Sequence, residues 1–188
     1  MSTVFIGGSR RVGHLNSVIR AKLDSIVERG LHVVVGDANG SDRAVQSFLA
    51  EKRYHHVVIY CMGNACRNNV GGWPVHVVEA AGRRGFEYYA LKDAEMAREA
   101  DCGLMIWDGK SKGTLLNVHR LIEFGKPVVV YFSPSRECRT IKTQADLRVL
   151  LSQCPQSERR RLSGLLELGP EQATLFPAMA HALPKQQM

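Results

Sequence analysis

The sequence has no uninterrupted apolar run approaching the ~18 residues that a membrane-spanning helix requires. Its first residues, MSTVFIGGSR, lack the charged and apolar layout of a signal peptide and lead directly into a strand-like segment. Internal repeats and low-complexity tracts are also missing. These absences predict a folded, cytoplasmic protein without a membrane partner, whose 188 residues form one domain of ordinary size and a small addition.

Cysteine pairs with metal-type spacing are lacking as well. The five cysteines include no CxxC pair, and they stand at Cys61, Cys66, Cys102, Cys138 and Cys154. Such spacing is typical of reduced thiols and argues against a structural zinc site. We therefore expect five free thiols, with no metal and no cofactor.

Acidic residues are too few to balance the basic ones. The chain has 25 Lys and Arg against 18 Asp and Glu, a formal net charge of +7 and a pI of about 9.4. This balance favours anionic partners, namely nucleotides, phosphorylated metabolites or nucleic acid. The basic clusters are not interleaved with aromatic residues, so nucleic acid is the less favoured partner.

Six short apolar runs, rich in β-branched residues, are each bounded by Gly, Pro or polar residues and are predicted to be buried strands. They cover residues 4–6, 32–35, 57–61, 75–78, 104–107 and 128–132. Helical spacing of apolar residues marks 15–29, 44–49, 92–100 and 115–125. Strands that alternate with helices predict an α/β fold with a doubly wound parallel sheet, because parallel neighbours need crossover connections.

Beyond residue 132 the sequence changes in character. Residues 133–144, SPSRECRTIKTQ, are polar and are predicted to be a connector, followed by two amphipathic helices around Leu147–Leu151 and Leu162–Leu166. We therefore divide the chain into an α/β domain at 1–135 and a C-terminal helical extension with a tail at 136–188, of which 175–188 are expected to fray.

Three strand-to-helix loops are rich in glycine and small hydroxyl residues. Glycines let a ligand approach the main chain, and free N–H groups at a helix start attract an anion. Because such loops gather at the carboxyl edge of a parallel sheet, they predict one phosphate-type site. The predicted ligand-binding residues are Gly7, Gly8, Ser9, Arg10, Gly36, Asp37, Ala38, Asn39, Gly40, Ser41, Asp42, Asp108, Gly109, Ser111, Gly113 and Thr114.

The third loop contains Gly109, Lys110 and Ser111, which is how a triphosphate-binding P-loop ends. That motif requires a further glycine at position 104, where the chain has Leu104. The spacing therefore argues against a P-loop and leaves a tight turn suited to one phosphate or one ribose phosphate.

Together the loops GGSRR, GDANGSD and the segment LKDAEMAREADCGLMIWDGKSKGT resemble the SLOG superfamily over roughly residues 3–132. The superfamily includes the LOG phosphoribohydrolases, the DprA/Smf proteins and a stand-alone bacterial YspA-like branch, to which this sequence looks most similar. The resemblance implies a Rossmann-like fold, a nucleotide or nucleotide-derived ligand across the three loops, and a homodimer or higher homo-oligomer.

LOG enzymes carry the pattern PGGxGTxxE, which supplies a phosphate-binding turn and a catalytic glutamate, and an arginine upstream. The resemblance places Asn117 at the glutamate position and Lys92 at the arginine position. Because Asn117 carries no charge, it cannot stabilise an oxocarbenium-like transition state or act as a base. Hydrolysis of an N-glycosidic bond then needs another carboxylate, and the candidates are Asp37, Asp42, Glu79, Glu95 and Asp108.

Of these carboxylates, Asp42 and Asp108 are best placed, so the candidate catalytic residues are Lys92, Asp108 and Asp42. The alternatives are a helix-start residue for Asp42 and a turn former for Asp108.

Two further segments allow two interpretations each. The loop at residues 61–73 can form a lid, with Trp73 either stacking on a base or packing as an anchor. Arg159–Arg161 are predicted to lie on the solvated face of a helix, with a nucleic-acid surface as the alternative.

Three functions remain open at this point. The favoured one is a nucleotide-binding sensor or binding module. The alternatives are a phosphoribohydrolase-type enzyme with a relocated acid and a DprA-like nucleic-acid binder.

Overall fold

The computed structural model describes residues 1–63, 65–79 and 85–167. The described residues form seven strands and six helices. The strands are β1 (Thr3–Gly8), β2 (His32–Gly36), β3 (Val57–Met62), β4 (Val75–Val78), β5 (Cys102–Trp107), β6 (Val128–Phe132) and β7 (Glu137–Ile141). The helices are α1 (Ser17–Glu28), α2 (Ser41–Glu51), α3 (Gly85–Glu99), α4 (Lys112–Glu123), α5 (Gln144–Ser152) and α6 (Gln156–Glu167).

The strands build one sheet in the order β4-β3-β2-β1-β5-β6-β7, in which all neighbours are parallel except β6 and β7. This confirms the predicted α/β architecture. The chain proceeds outward from β1 to β4 and then returns to β5 on the other side of β1. The strand order therefore reverses between β1 and β5, and in open α/β sheets this is where ligands bind, beyond the carboxyl ends of the strands.

Helices cover both faces of the sheet because the central strands are apolar on both faces. Helices α1 and α2 bury Ile19, Leu23 and Leu49 against one face, together with Val35 and Ile59 of the sheet. The other face holds the second core cluster, to which α3, α4, α5 and α6 contribute. Both helical layers thus hold the carboxyl ends of β1, β2 and β5 in fixed positions.

The prediction that residues 133–144 form only a connector is wrong, because residues 137–141 form β7, antiparallel to β6. Its burial is low, with only Ile141 fully buried, so this edge strand needs no apolar run and left no strand pattern in the sequence.

The two predicted C-terminal helices are confirmed as α5 and α6, and their leucines join the core cluster that also contains Leu115 and Val118 of α4. The division of the chain at residue 135 stays a prediction, and the predicted fraying tail, 175–188, lies outside the described residues. Within the described part of the chain, no helix has both the length and the apolar character needed to cross a membrane.

Candidate functional site

A cleft of about 700 Å³ lies beyond the carboxyl ends of β1, β2 and β5. Its volume falls in the usual range of small-molecule sites, about 300–1,000 Å³. Its basic lining residues are Arg10, Arg11, Arg67, Lys92, Lys110, Lys112, Arg120 and Arg161. Its acidic lining residues are Asp42, Asp93, Asp108 and Glu158, and Phe5, Phe86 and Tyr89 supply aromatic surface. The cleft is therefore cationic, with aromatic side chains on its wall.

Ser9 links the loop after β1 to the loop after β5. Its hydroxyl donates to Asp108 Oδ1 at 2.9 Å and accepts from the Asp108 backbone N–H at 3.2 Å. Its own N–H donates to the Ile106 carbonyl at 2.8 Å, and the side chain is fully buried. Because these bonds occupy Ser9, it positions the two loops and does not face the cleft.

The loop after β2 packs just as closely on the loop after β1. The Ser41 hydroxyl lies 2.9 Å from the Ser9 carbonyl and 3.1 Å from the Val12 carbonyl, within donating distance of both. Gly40 has a positive φ of 80°, and a Cβ there would overlap the Arg10 backbone. Glycine is required at this position, because only a bare backbone permits both the conformation and the close approach.

The turn between β5 and α4 is organised by Asp108 and Ser111. Asp108 Oδ1 accepts from the N–H groups of Lys110 at 3.0 Å and Ser111 at 2.8 Å. Ser111 caps α4, since its side chain accepts from the Thr114 N–H at 3.4 Å. Burial raises the pKa of Asp108, but these hydrogen bonds outweigh burial and hold the pKa below its usual value. Asp108 is thus ionised and forms the turn.

Gly113 lies in the first turn of α4 and lines the cleft. The nearest atom to a Cβ placed there is Phe86 Cε2, at 3.8 Å. A ligand atom can therefore approach the start of α4 at this point, where the helix dipole favours an anion.

Four cations on these loops have no carboxylate partner within the residues that the structure describes. They are Arg10 and Arg11 after β1, and Lys110 and Lys112 between β5 and α4. The Arg10 guanidinium instead lies over the Tyr89 ring, 5.2 Å from its centroid. The positive charge of the cleft is consequently concentrated beside the point where the strand order reverses.

Arg67 and Asp37 form a forked ion pair behind the cleft. Arg67 Nη2 donates to Asp37 Oδ1 at 2.6 Å, and Nε donates to Oδ2 at 3.0 Å. The Arg67 backbone N–H adds a third bond, to Oδ2 at 3.1 Å. Burial raises the pKa of Asp37, but the bonds from Arg67 outweigh it and keep the pKa below normal. The pair ties the β3–β4 loop to the β2–α2 loop.

Lys92 is buried in α3 at the edge of the cleft, with its side chain 4% exposed. Its Nζ lies 3.1 Å from Asp93 Oδ1 and 3.9 Å from Asp37 Oδ1. Burial lowers the pKa of Lys92, but the nearby carboxylates outweigh burial and raise it, so the amine is charged. On the other side, Asp93 accepts from Asn117 Nδ2 at 3.2 Å, and Asn117 Oδ1 accepts from Arg120 Nη1 at 3.0 Å.

Asp42 lies at the start of α2, buried and 7% exposed, and it lines the cleft. Its Oδ2 accepts from the Ala38 N–H at 3.2 Å. A Cβ on Gly36 would lie 2.6 Å from this oxygen and 2.5 Å from Lys92 Nζ, so both groups converge above Gly36. Burial raises the pKa of Asp42 to about 6, against the lowering effect of Lys92. Asp42 can therefore exchange a proton near neutral pH.

The structure divides the sequence-predicted residues into two groups. Those that line the cleft are Gly7, Gly8, Arg10, Gly36, Ala38, Asp42, Asp108, Ser111, Gly113 and Thr114, and the candidate catalytic residue Lys92 joins them. Those that do not line it are Ser9, Asp37, Asn39, Gly40, Ser41 and Gly109. Of the other candidate acids, Glu79 is exposed and Glu95 pairs with His76, and neither lines the cleft.

Sequence reasoning missed several cleft residues, namely Phe86, Tyr89, Asp93, Arg120 and Glu158. No sequence pattern marks Asp93, which simply follows Lys92 in KDAEM. Phe86 and Tyr89 could have been found, because their spacing of three residues places them on one face of a helix. The prediction that Arg159–Arg161 share a solvated face is wrong for Arg161, which lines the cleft. Its Nη2 donates to the Lys110 carbonyl at 2.6 Å.

Trp73 packs as an anchor, so the base-stacking alternative is wrong. Its side chain is buried at 7% exposure, and Nε1 donates to the Tyr54 carbonyl at 2.7 Å. The Asn69 side chain also fixes the Trp73 backbone, because Nδ2 donates to the Trp73 carbonyl and Oδ1 accepts from the Trp73 N–H.

The expectation of five free thiols is wrong for Cys61 and Cys66, which form a disulfide. The chain turns back at Gly63, whose φ is 68°, and brings the two Cα atoms within 5.2 Å. This separation lies inside the range that a disulfide spans. Cys102, Cys138 and Cys154 are free. In the parts of the chain that the structure describes, no group of three His, Cys, Asp or Glu side chains is arranged to hold a metal ion.

The fold is similar to that of DNA processing protein A from Helicobacter pylori, whose solved structure concerns the single-stranded DNA binding mode of that protein. The two share 14% sequence identity and a TM-score of 0.52, over 88% of this chain and 80% of that one. A likeness at this identity shows a common fold, which is the Rossmann-like fold that the resemblance to the SLOG superfamily implied. No protein-family profile and no curated protein matches the sequence.

Proposed function

We propose that this chain binds a phosphorylated nucleotide, or a molecule derived from one, in the cationic cleft. The observation that carries the proposal is the set of four cleft cations, Arg10, Arg11, Lys110 and Lys112, which lack carboxylate partners among the described residues. Such charges favour an anionic ligand, and a cleft of about 700 Å³ has the size of a small-molecule site. Protein-bound phosphates are held by this combination of Arg or Lys and a helix start.

The phosphate is assigned to the start of α4. Gly113 leaves space there, and the N–H groups of Lys112 and Gly113 are not used by the hydrogen bonds of the turn, which occupy those of Lys110, Ser111 and Thr114. The nucleoside part then lies along α3, where Phe86 is 38% exposed and gives an apolar surface for a base. Tyr89 supports this wall between Arg10 and Arg67, whose guanidinium groups lie 5.2 and 4.5 Å from its ring centroid.

The test is to incubate the protein with nucleoside monophosphates and diphosphates. Binding is measured by thermal shift, and release of the free base is measured in the same samples. Stabilisation without base release is expected for a sensor or binding module. If no nucleotide stabilises the protein, the proposal is wrong.

Gly113→Asp tests where the phosphate lies. An added carboxylate should weaken nucleotide binding at least about tenfold through like-charge repulsion. Gly113→Asn is the matched control, because it has the same shape without the charge, and the position has room for a side chain. Equal affinities of the two variants would place the phosphate elsewhere.

Hydrolysis of an N-glycosidic bond is a second candidate, favoured by the convergence of Asp42 and Lys92 above Gly36. Asp42, with a pKa of about 6, suits the acid or base role that Asn117 cannot supply. Asp108 suits it less, because its pKa is lowered by the turn that it forms. Base release that disappears in Asp42→Asn, while nucleotide binding persists, would support this candidate.

Binding of single-stranded nucleic acid is the third candidate, and the likeness to DNA processing protein A favours it. The same cleft cations would contact successive phosphates, so affinity would fall steeply as salt rises. Fluorescence anisotropy with a labelled oligodeoxythymidine tests this candidate. It is abandoned if no oligonucleotide binds at low salt.

A further inference from the structure

Helix α6 brings a guanidinium group to the cleft from a part of the chain outside the superfamily resemblance. Arg161 and Glu158 of α6 both line the cleft. Arg161 Nη2 donates to the Lys110 carbonyl at 2.6 Å, which connects α6 to the turn that precedes α4. Cys154, just before α6, packs beneath the same turn, with Sγ 3.7 Å from the Gly109 carbonyl.

Glu158 holds the Arg161 guanidinium in this position. Glu158 Oε2 accepts from Arg161 Nε at 2.9 Å and from Nη2 at 2.6 Å. The Arg161 side chain remains 31% exposed. Nη1 has no hydrogen-bond partner among the residues that the structure describes, so it is able to donate to a ligand.

The contact with Lys110 places Arg161 close to the start of α4, where the phosphate is proposed to bind. Lys110, whose carbonyl it contacts, immediately precedes Ser111, the residue that caps α4. Arg161 of α6 therefore approaches the start of α4, whose first residue is Lys112. Because Nε and Nη2 are bonded to Glu158 and to the Lys110 carbonyl, Nη1 is the nitrogen of Arg161 that can donate to a phosphate there.

We infer that Arg161 is an anion-binding residue of the cleft and that it selects a terminal phosphate monoester over a phosphodiester. The inference rests on the proposed nucleotide function. A monoester carries more negative charge than a diester, which suits a site with Lys112 and Arg161 together.

Calorimetric titration with three probes tests the inference: adenosine 5′-monophosphate, its methyl phosphodiester, and inorganic pyrophosphate. Arg161→Gln should weaken binding of the monophosphate and of pyrophosphate roughly ten- to hundredfold, since it removes charge-assisted hydrogen bonds. Arg160→Gln is the matched control, because Arg160 is an exposed neighbour on α6 that does not line the cleft. The control should change affinity less than about twofold, because it is a screened surface charge.

Glu158→Gln separates anion binding from a purely structural role. Removal of this carboxylate takes a negative charge out of the cleft and frees the Arg161 guanidinium, so pyrophosphate should bind a few-fold more tightly. If Arg161 only fastened α6 to the turn, both Glu158→Gln and Arg161→Gln would weaken binding. Circular dichroism and thermal melting of each variant establish that it is folded.

The results distinguish the role of Arg161 from the proposed nucleotide function. If Arg161→Gln behaves like Arg160→Gln while the wild type binds the monophosphate, the inference is wrong and the nucleotide proposal stands. If the methyl ester binds as tightly as the monophosphate, selection of a terminal phosphate is wrong. If only pyrophosphate binds and Arg161→Gln weakens it, the role of Arg161 stands without the nucleotide. Binding of none of the three probes overturns both.

Discussion

Replacing the buried Asp42 by Asn should stabilise the folded protein at neutral pH. The pKa of Asp42 is raised in the fold, so between pH 3.8 and about 6 the folded state binds a proton that the unfolded state has lost. The free energy of unfolding must then fall as pH rises through this range. Asparagine has the shape of the protonated acid and does not ionise, so Asp42→Asn removes this loss.

The magnitude follows from the pKa. A rise from 3.8 to about 6, at about 1.4 kcal/mol for each pKa unit, gives about 3 kcal/mol as the cost of the Asp42 charge above about pH 7. This figure already includes the attraction of Lys92, which lowers the pKa of Asp42. We expect Asp42→Asn to raise the free energy of unfolding by about 1–3 kcal/mol at about pH 8, and by little at about pH 4.

Urea unfolding at both pH values provides the measurement, and Asp108→Asn provides the control of opposite sign. The pKa of Asp108 is lowered, so its charge stabilises the fold above the usual carboxyl pKa and this contribution is lost as pH falls. Asp108→Asn should therefore destabilise the protein at about pH 8 and affect it least in acid. A destabilised Asp42→Asn at about pH 8 would refute the reasoning, because it would mean that the charge of Asp42 is well compensated.

Three further predictions concern the loops around the cleft. Arg67→Gln removes the guanidinium that pairs with the buried Asp37 and should lower the free energy of unfolding by about 3 kcal/mol in urea titration; an unchanged midpoint would contradict this. Reduction of the Cys61–Cys66 disulfide, or Cys66→Ser, should cost about 2 kcal/mol from the entropy of so short a loop, measured by thermal melting with and without dithiothreitol. Gly40→Ala should abolish nucleotide-induced thermal stabilisation, since the added Cβ forces the first two loops apart; normal stabilisation would show that the loops tolerate separation.

Most of the sheet was predictable because its strands are buried on both faces, so their apolar runs are nearly continuous. Residues 32–35 and 128–132 are clear examples, and both lie in the sheet as predicted. The strand β7 could not be predicted, because an edge strand is exposed along most of its length and needs only Ile141 to pack. Its partner β6 is what makes it a strand, and that pairing is a tertiary contact.

The loops were predictable as a group, but the orientation of each side chain was not. A serine after a strand can face a ligand or the neighbouring loop, and Ser9 faces Asp108, 99 residues further along the chain. Only the adjacency of β1 and β5 in the sheet brings these two residues together. Arg161 was beyond reach for the same reason, since only the packing of α6 against α4 and α5 brings it to the cleft.

Two sets of charges in the cleft have different roles. In the buried set, Arg67 pairs with Asp37 and Lys92 pairs with Asp93, and these pairs hold the loops together. The outer set, Arg10, Arg11, Lys110 and Lys112, has no such carboxylates among the described residues, so its charge is available. An anion should therefore bind at the outer set, while the buried pairs fix the geometry of the loops. It follows that neutralising Lys112 should weaken nucleotide binding with little effect on stability, whereas neutralising Lys92 should impair folding first.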